Sequence, residues 1–256
     1  MTAKKRLDLY LVERGLANSR THAQELIEAG QVFSFEANQK RTLKKSSMPV
    51  AEDMKIDVEQ GPANRYVSRG GLKMEGALQK AGVSVQGLHV LDVGISTGGF
   101  TDCLLQQGAD SVLGVDVGHG QVSPSLLQNP KLQVLEGINA RQLSQEEGVL
   151  KAKPTEGFDL IVMDVSFISI SLIIPELVQF LKPAGLLLSL VKPQFEVGVD
   201  GLSKGGIVKN VSLYVDVEDK VKKVCENHGL VVKDYFASSI EGKDGNHEFF
   251  VFAQRK

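Results

Sequence analysis

The sequence contains little cysteine and no long apolar run. Cys103 and Cys225 are its two cysteines, and both lie in apolar helical patterns without a CxxC motif or a histidine cluster beside them. A disulfide framework and a structural zinc site therefore do not fit the chain, and we expect no metal site. A reducing compartment suits this composition.

Signals for export and for membrane insertion are also missing. The basic start runs directly into charged residues, whereas a signal peptide needs an apolar stretch of about 7–15 residues. The longest apolar run covers residues 185–191, far fewer than the roughly 20 residues that span a bilayer. We therefore expect a cytoplasmic protein that does not insert into membranes.

The composition that is present belongs to a folded globular protein. It has 42% hydrophobic and 23% charged residues and a formal net charge of −2 over 256 residues. Disorder, collagen and coiled coil do not fit, and the length allows one domain or two. Residues 1–45 hold nine lysines and arginines against five acidic residues. A basic segment of this kind is typical of contact with nucleic acid.

The first 58 residues show the pattern of a small unit of helices and strands. Apolar residues at 7, 9, 11 and 12 predict a helix that ends at Gly15, and Ser19 can cap a second helix that stops at Gly30. Residues 31–35 and 54–58 are predicted as short strands, with a basic turn at residues 40–45 between them.

A spaced motif runs through this unit. It comprises Arg6-Leu7-Asp8, Leu11, Gly15-Leu16, Ser19-Arg20, Ala23, Leu26-Ile27, Gly30 and Val32. The motif resembles the S4 RNA-binding domain, also called the alpha-L fold, in which two helices present basic side chains to the phosphates of structured RNA. The resemblance implies RNA contacts from Arg6, Ser19, Arg20 and Lys45.

Beyond residue 59 the pattern changes. Residues 60–65 are rich in chain breakers, which predicts a linker between a domain at 1–59 and a second domain at 66–256. Helical segments, the clearest at 211–228, alternate there with apolar runs at 88–93, 112–115, 132–135, 158–163, 186–191, 230–236 and 248–253. This alternation predicts a doubly wound α/β sheet.

The first strand of that sheet ends in a turn of small residues, from Asp92 and Gly94 to Gly98. Small residues let the backbone approach a ligand closely. The second strand ends about twenty residues later at Asp116, whose carboxylate can accept hydrogen bonds from two ribose hydroxyls. Because the spacing is not GxGxxG, we favour S-adenosylmethionine as the ligand. A nicotinamide or flavin dinucleotide and a purely structural turn are the alternatives.

Four charged residues stand where a structure would prefer apolar ones. Asp164 and Lys192 end buried strands, Glu248 opens the last strand, and Lys73 precedes a helix that leads to the first strand. Since the strands that end in Asp164 and Lys192 should be parallel neighbours, we predict that these side chains face each other at the ligand crevice. Each residue alone also has an ordinary explanation as a strand-end cap or a salt bridge.

Two lysines and two carboxylates at one site can deprotonate a weak acid. A ribose 2′-hydroxyl is too weak an acid to ionise at neutral pH. Its attack on a sulfonium methyl group therefore needs a positioned base and a cation near the developing alkoxide. A lysine can act as the base if its neighbours adjust its pKa.

The order Lys73, Asp164, Lys192, Glu248 resembles the tetrad of FtsJ-like 2′-O-ribose methyltransferases. Flanking motifs narrow the resemblance to the TlyA family, ribosomal RNA cytidine-2′-O-methyltransferases that join an S4 domain to an FtsJ-like domain. These motifs are Ser68-Arg69-Gly70-Gly71, Ser96-Thr97-Gly98-Gly99-Phe100, Asp164-Val165-Ser166-Phe167, Lys192-Pro193-Gln194-Phe195-Glu196 and Gly245-Asn246-x-Glu248.

This resemblance implies that the tetrad is catalytic, with Lys192 as the base, and that S-adenosyl-L-methionine is the cofactor. It implies donor contacts from Asp92, Gly94, Ser96, Thr97, Gly98, Phe100, Asp116 and Asn139, the last beside Ile138 and Ala140. Arg69 is a further expected RNA contact. Phe195 could stack on a target base flipped out of the RNA, or could simply pack its own loop.

The expected partner is ribosomal RNA or a ribosomal subunit, with no obligate protein partner. Members of the family occur as a shorter type that modifies only large-subunit RNA and a longer type that also modifies the small subunit. The chain starts five residues before Arg6 and stops at Lys256, which favours the shorter type and a cytidine of the large subunit.

Three other functions compete with this hypothesis. A ribosome-associated RNA-binding factor with an inactive enzyme domain would not need an intact tetrad. A pore-forming haemolysin would need a spanning segment or a strongly amphipathic basic helix, which the sequence lacks. A small-molecule O-methyltransferase would have little use for the N-terminal unit.

Overall fold

The computed structural model describes residues 4–17, 19–36, 39–59, 61, 65–240, 242 and 245–256. The chain forms two compact units, Met1–Gly71 and Leu72–Lys256, and each is considered separately. Of the predicted linker at 60–65, residues 60 and 62–64 lie outside the described residues.

The first unit packs two short helices against small antiparallel sheets. Its elements are β1 (Lys4–Arg6), α1 (Leu7–Glu13), α2 (Arg20–Glu28), β2 (Val32–Glu36), β3 (Gln39–Thr42), β4 (Pro49–Ala51) and β5 (Ile56–Val58). Both predicted helices are confirmed. Gly15 follows α1 with φ +69°, and the Ser19 hydroxyl caps α2 by accepting the amide of His22 at 3.1 Å. The apolar faces of the helices meet in a core that includes Leu11 and Leu26.

The predicted basic turn at residues 40–45 is wrong in its first half. Residues 39–42 form strand β3, which pairs antiparallel with β2 and gives the sheet order β3-β2-β5. All four residues of β3 are exposed, so the alternation of apolar and polar residues that identifies a strand is missing. β1 and β4, which pair with each other, have three residues each and also escaped prediction.

The second unit is a seven-stranded sheet with helices. It contains α3 (Gly70–Ala81, which begins at the end of the first unit), β6 (His89–Val93), α4 (Gly99–Gln106), β7 (Ser111–Asp116), α5 (Pro124–Leu127), β8 (Leu132–Glu136), α6 (Glu147–Ala152), β9 (Phe158–Met163), α7 (Ile174–Leu177), β10 (Leu181–Val191), α8 (Ser212–Asn227), β11 (Leu230–Ala237) and β12 (Phe249–Arg255). The strand order is β11-β12-β10-β9-β6-β7-β8. The predicted α/β class is confirmed.

Strands β10, β9, β6, β7 and β8 run parallel, whereas β12 lies antiparallel between β10 and β11. β10 begins five residues earlier than the apolar run at 186–191, and its register shifts between Leu181 and Leu186. Ala184 has φ +60° within this irregular stretch, next to Pro183, so the sequence there does not read as a strand.

The core lies on the sheet beneath its helices. Leu91, Ile161 and Leu187 are buried at the centre of the parallel strands. The predicted helix at 211–228 is confirmed as α8, and its stripe of Val217 and Val221 packs into the same core. Among the residues described, no helix is long and apolar enough to cross a membrane.

Parallel pairing brings the carboxyl ends of five strands to one edge of the sheet. Four of them, β10, β9, β6 and β7, place Lys192, Asp164, Gly94 and Asp116 in a row. Because β12 runs in the opposite direction, its first residues lie at this edge as well, immediately after Glu248. Ligands bind at such an edge in open α/β sheets, outside the carboxyl ends of the strands.

Candidate active site

A cleft of about 560 Å³ opens at this edge. Its volume lies within the range of about 300–1,000 Å³ that is usual for small-molecule sites. Side chains and backbone from the ends of β6, β7 and β9 and from the turns that follow them line the cleft. They include Gly94, Ser96, Asp116, Gln121, Asn139, Asp164, Ser166 and Phe167.

Gly94 allows the chain to pass close to strand β9. Its φ is +83°, and a Cβ at this position would stand 2.6 Å from the carbonyl oxygen of Asp164. A larger residue would be strained and would collide with backbone. Gly94 is therefore needed for the turn to pack against the end of β9, and the predicted close approach to a ligand stays a prediction.

The carboxylate of Asp116 is held in a fixed orientation. The amide of Ser96 donates to Oδ2 and the amide of Gly118 donates to Oδ1, both at 2.8 Å. Each carboxylate oxygen has a further lone pair, so Asp116 can still accept hydrogen bonds from two neighbouring hydroxyls in the cleft. Beyond it, Asn139 lies between Ile138 and Ala140 and caps the following turn through the amide of Arg141 at 3.0 Å.

Asp92 does not line the cleft but lies fully buried under the turn. Thr101, in the first turn of α4, donates to its Oδ2 at 2.6 Å. Burial raises the pKa of Asp92 to about 7, and the negative charges of Asp164 and Asp116 add to this effect. Asp92 therefore supports the turn from below.

The structure places three other predicted donor residues beside or behind the turn. Phe100 is buried on α4 and stacks on Phe250 with 6.2 Å between ring centroids. Gly98 is the N-cap of α4 with φ +92°, and the carbonyl of Thr97 accepts the amide of Ser123 at 3.2 Å. Of the eight predicted donor residues, Gly94, Ser96, Asp116 and Asn139 are those that line the cleft.

The four charged residues form two ion pairs. Lys73 Nζ lies 2.5 Å from Glu248 Oε2, and Lys192 Nζ lies 2.6 Å from Asp164 Oδ1. Asp164 and Lys192 therefore face each other as predicted. Both lysine side chains are only 13% exposed. Each lysine therefore has a carboxylate beside it and little water to replace that partner.

The strand register explains how the two pairs come together. Val191, the last residue of β10, pairs with Phe249, the first residue of β12. Lys192 and Glu248 are the next residues outward on these two strands. Each therefore belongs to a different ion pair at the same edge.

Three residues at the cleft, Ser166, Gln121 and Phe167, were not predicted as site residues. The Lys192 ammonium donates to Ser166 Oγ at 2.8 Å, and Ser96 Oγ donates to Gln121 Oε1 at 3.2 Å. Phe167 is 91% exposed with φ +66°, and its ring centroid lies 5.3 Å from that of Phe195. These residues lie in turns, where a periodic pattern of apolar residues does not predict the direction of a side chain. The available hint was an aromatic residue, Phe167, three positions after the strand-end Asp164.

The first unit contains a separate basic cluster, arranged around a buried acid. Asp8 is fully buried, and its carboxylate accepts hydrogen bonds from Arg6 at 2.8 and 3.0 Å, from Arg20 at 2.9 Å and from Gln24 at 3.1 Å. The Arg6 hydrogen bond contributes most to holding the pKa of Asp8 well below its usual range. The two guanidinium groups remain about half exposed.

Other predicted RNA contacts have different surroundings. Lys45 is exposed in the loop before β4, and the carbonyl of the next residue, Ser46, accepts the amide of Asp8 at 3.0 Å. Lys45 is thus brought towards the Arg6 and Arg20 cluster. Ser19 serves as the cap of α2, and Arg69 lies half-buried in the turn before α3.

The second unit has the fold of a Rossmann-like methyltransferase, with its cleft at the carboxyl ends of the parallel strands. A model of the FtsJ-like methyltransferase family matches residues 66–255, and an S4 domain model matches residues 5–33. The chain belongs to the FtsJ-like methyltransferase family.

Relatives of known name match almost the whole chain. The provisionally described rRNA methyltransferase YqxC of Bacillus subtilis is 42% identical over 98% of this chain and 86% of its own length. The 16S/23S rRNA (cytidine-2′-O)-methyltransferase TlyA of Mycobacterium tuberculosis is 37% identical over 98% and 90%. The 23S rRNA (cytidine-2′-O)-methyltransferase TlyA of Campylobacter jejuni is 33% identical over 95% and 97%.

A solved structure has the same organisation. A protein from Streptococcus thermophilus described as a hemolysin shares 35% identity, with a TM-score of 0.74 over 100% of this chain and 90% of that one.

The raised pKa of Asp92 predicts a pH-dependent stability. Because the pKa of this carboxyl is about 7 in the folded chain and about 3.9 when unfolded, its stabilising effect is lost progressively as pH rises from about 4 to 7. Asp92→Asn cannot ionise. The free energy of unfolding of both proteins is measured with urea at pH 5 and at pH 8. Between these two pH values the wild type should lose more of its free energy of unfolding than Asp92→Asn does. An equal difference between the two proteins at both pH values would contradict the burial of a protonated carboxyl.

Proposed function

We propose that this protein transfers a methyl group from S-adenosylmethionine to the 2′-hydroxyl of a cytidine ribose in ribosomal RNA. The observation that carries the proposal is the placement of the Lys73–Glu248 and Lys192–Asp164 ion pairs at the edge that forms the cleft. The printed names of the TlyA relatives supply the substrate class.

The cleft fits the methyl donor. Asp116, oriented by two backbone amides, would accept the two ribose hydroxyls of the donor, and Asn139 with its neighbours would lie near the adenine. Gly94 lines the cleft and carries no side chain that would project towards the donor. The bound donor would supply an electrophilic methyl group on a sulfonium centre. Asp92, Thr97, Gly98 and Phe100 would shape the turn from behind.

Lys192 is the proposed base. In its neutral form its amine would accept the proton of the 2′-hydroxyl, and Asp164 would stabilise the resulting ammonium at 2.6 Å. Lys73, held by Glu248, would remain cationic beside the developing negative charge on the ribose oxygen. The two lysines would thereby have different roles, because Lys192 takes up a proton and Lys73 stays positively charged.

The aromatic pair at the cleft is proposed to receive the target base. A nucleotide within folded RNA must leave its stack before its ribose can enter a cleft, and an aromatic face compensates for the lost stacking. Phe195 and the exposed Phe167 provide such a face beside Ser166.

The first unit is proposed to position the RNA. Asp8 neutralises only one of the two positive charges of Arg6 and Arg20, so the cluster retains a net positive charge at the surface. Phosphate contacts of this kind orient a protein on RNA without reading its sequence. Lys45 and Arg69 would extend the contact, and Ser19 would act through the cap that begins α2.

The domain assignment and the target follow from the same reasoning. Residues 1–59 would bind RNA, residues 60–65 would link the two domains, and residues 66–256 would carry out methyl transfer.

We favour large-subunit RNA as the target because 23S RNA is common to the names of both TlyA relatives described above, whereas 16S RNA is in only one of them. Since the proposed substrate is ribosomal, we propose that the reaction takes place in the cytoplasm.

Methyl transfer to ribosomal particles tests the proposed function. Labelled S-adenosylmethionine is supplied with unmodified large subunits, small subunits and free ribosomal RNA. We expect label in large-subunit RNA. Lys192→Ala should reduce the rate by about 10²- to 10⁴-fold, as is usual when a general base is removed. Lys233→Ala, which changes an exposed lysine on β11, is the matched control and should keep the wild-type rate.

Two results would contradict the proposal. One is the absence of label in every RNA while the protein still binds the donor. The other is a Lys192→Ala protein as active as Lys233→Ala.

The salt dependence of RNA binding tests the role of the first unit. Affinity should fall linearly on a plot of log affinity against log salt, because phosphate contacts release counterions. Arg20→Ala should lower the slope by about 1, the effect of one lost phosphate contact. Arg14→Ala is the matched control, since Arg14 bonds the carbonyl of Glu52 and lies outside the Asp8 cluster. A slope near zero for the wild type, or equal slopes for wild type and Arg20→Ala, would rule out this contact.

A further inference from the structure

We propose that Ser166 is a positioning residue for Lys192, a role that rests on the proposed function. Its hydroxyl oxygen accepts a hydrogen bond from Lys192 Nζ at 2.8 Å, while Asp164 Oδ1 lies 2.6 Å from the same nitrogen. Lys192 thus has one hydrogen-bond acceptor, Ser166, and one ion-pair partner, Asp164, on the turn that follows β9.

A lysine that acts as a base must direct its lone pair towards the proton that it accepts, and Ser166 and Asp164 act on this direction. A neutral lysine amine has two N–H bonds and one lone pair, and it can rotate about the Cε–Nζ bond. Ser166 Oγ holds one N–H bond through a hydrogen bond, and the Asp164 carboxylate attracts the nitrogen from a second position, so together they limit this rotation and direct the lone pair. Ser166 and Asp164 both line the cleft, so the lone pair is aimed where the ribose hydroxyl must arrive. Without Ser166, the amine could still rotate about the Cε–Nζ bond while it remained paired with Asp164.

The turn that carries Ser166 is anchored at both of its ends. At its start, the amide of Asp164 donates to the carbonyl of Val93 at 3.0 Å. At its end, Glu196 accepts hydrogen bonds from the Ser169 hydroxyl at 2.6 Å and the Ile170 amide at 2.8 Å. The position of Ser166 is therefore imposed by the fold.

Glu196 also links this turn to the segment that carries the base. Its side chain is 1% exposed and pairs with Lys220 of α8 at 2.8 Å. It directly follows the short helical turn Pro193–Phe195, which begins after Lys192. One buried carboxylate thereby fixes the Ser166 turn relative to the Lys192 turn, which keeps the Ser166 hydroxyl opposite the amine.

Removal of the hydroxyl should have two distinct effects. Loss of alignment lowers the maximal rate. The hydrogen bond from Ser166 also favours the protonated form of the base over the form that accepts a proton, so its loss should move the rise of the rate with pH to lower pH. A loosened fold would lower the rate without moving this midpoint towards acid.

Single-turnover methyl transfer as a function of pH tests the inference, with Ser166→Ala, Ser166→Thr and Lys192→Ala compared with the wild type. For Ser166→Ala we expect about a tenfold lower maximal rate, the size of one lost hydrogen bond, with an unchanged KM for S-adenosylmethionine. The midpoint of its pH profile should shift to lower pH. Ser166→Thr keeps a hydroxyl and should restore most of the rate. Ser84→Ala, which changes an exposed serine between α3 and β6, is the matched control.

The outcomes separate the two proposals. If Lys192→Ala is inactive while Ser166→Ala matches Ser84→Ala in rate and midpoint, the role of Ser166 is overturned and the proposed function stands. If Ser166→Ala loses rate but keeps the wild-type midpoint, and Ser166→Thr fails to restore the rate, Ser166 has no positioning role. If Lys192→Ala keeps its activity, the proposed base is wrong and this inference falls with it.

Discussion

The direction of strand β12 is the constraint on which the candidate site depends. Because β12 enters the sheet antiparallel between β10 and β11, its first residues lie at the edge where the parallel strands end. The pairing of Val191 with Phe249 then sets Lys192 and Glu248 side by side. A shift of one residue in this register would turn one of these side chains to the opposite face of the sheet and separate the two ion pairs.

Burial strengthens the interaction between the lysine and the carboxylate in each of those ion pairs. A lysine and a carboxylate in open water are worth little to each other, since water screens them and competes for both. Lys73 and Lys192 are mostly withdrawn from water, so little water competes for the carboxylate beside each one. In the first unit, buried Asp8 fixes two arginines and leaves their outer faces to solvent. In both units carboxylates hold the neighbouring basic side chains in place.

Much of this organisation could be predicted from the sequence, for reasons that particular residues make clear. The central strands are buried on both faces and read as apolar runs, so Asp164 and Lys192 stood out where those runs ended. Strand β3 could not be found because all four of its residues face solvent. The direction of Ser166 and Phe167 could not be found either, because it depends on a turn with φ +66° at Phe167 and on its anchor at Glu196. The ring of Phe100 packs on Phe250, and the expected contact of Phe100 with the donor stays a prediction.

The position of the methyl group on the product tests the central claim most directly. A methyl group on a ribose 2′-oxygen protects the neighbouring phosphodiester from alkali, since the attacking hydroxyl is blocked. After transfer of labelled methyl groups to large-subunit RNA and complete alkaline hydrolysis, the label should be found in an alkali-stable dinucleotide that begins with cytidine. Recovery of the label in single nucleotides, as a methyl group on a base, would contradict the assignment of the two lysine–carboxylate pairs to ribose methylation.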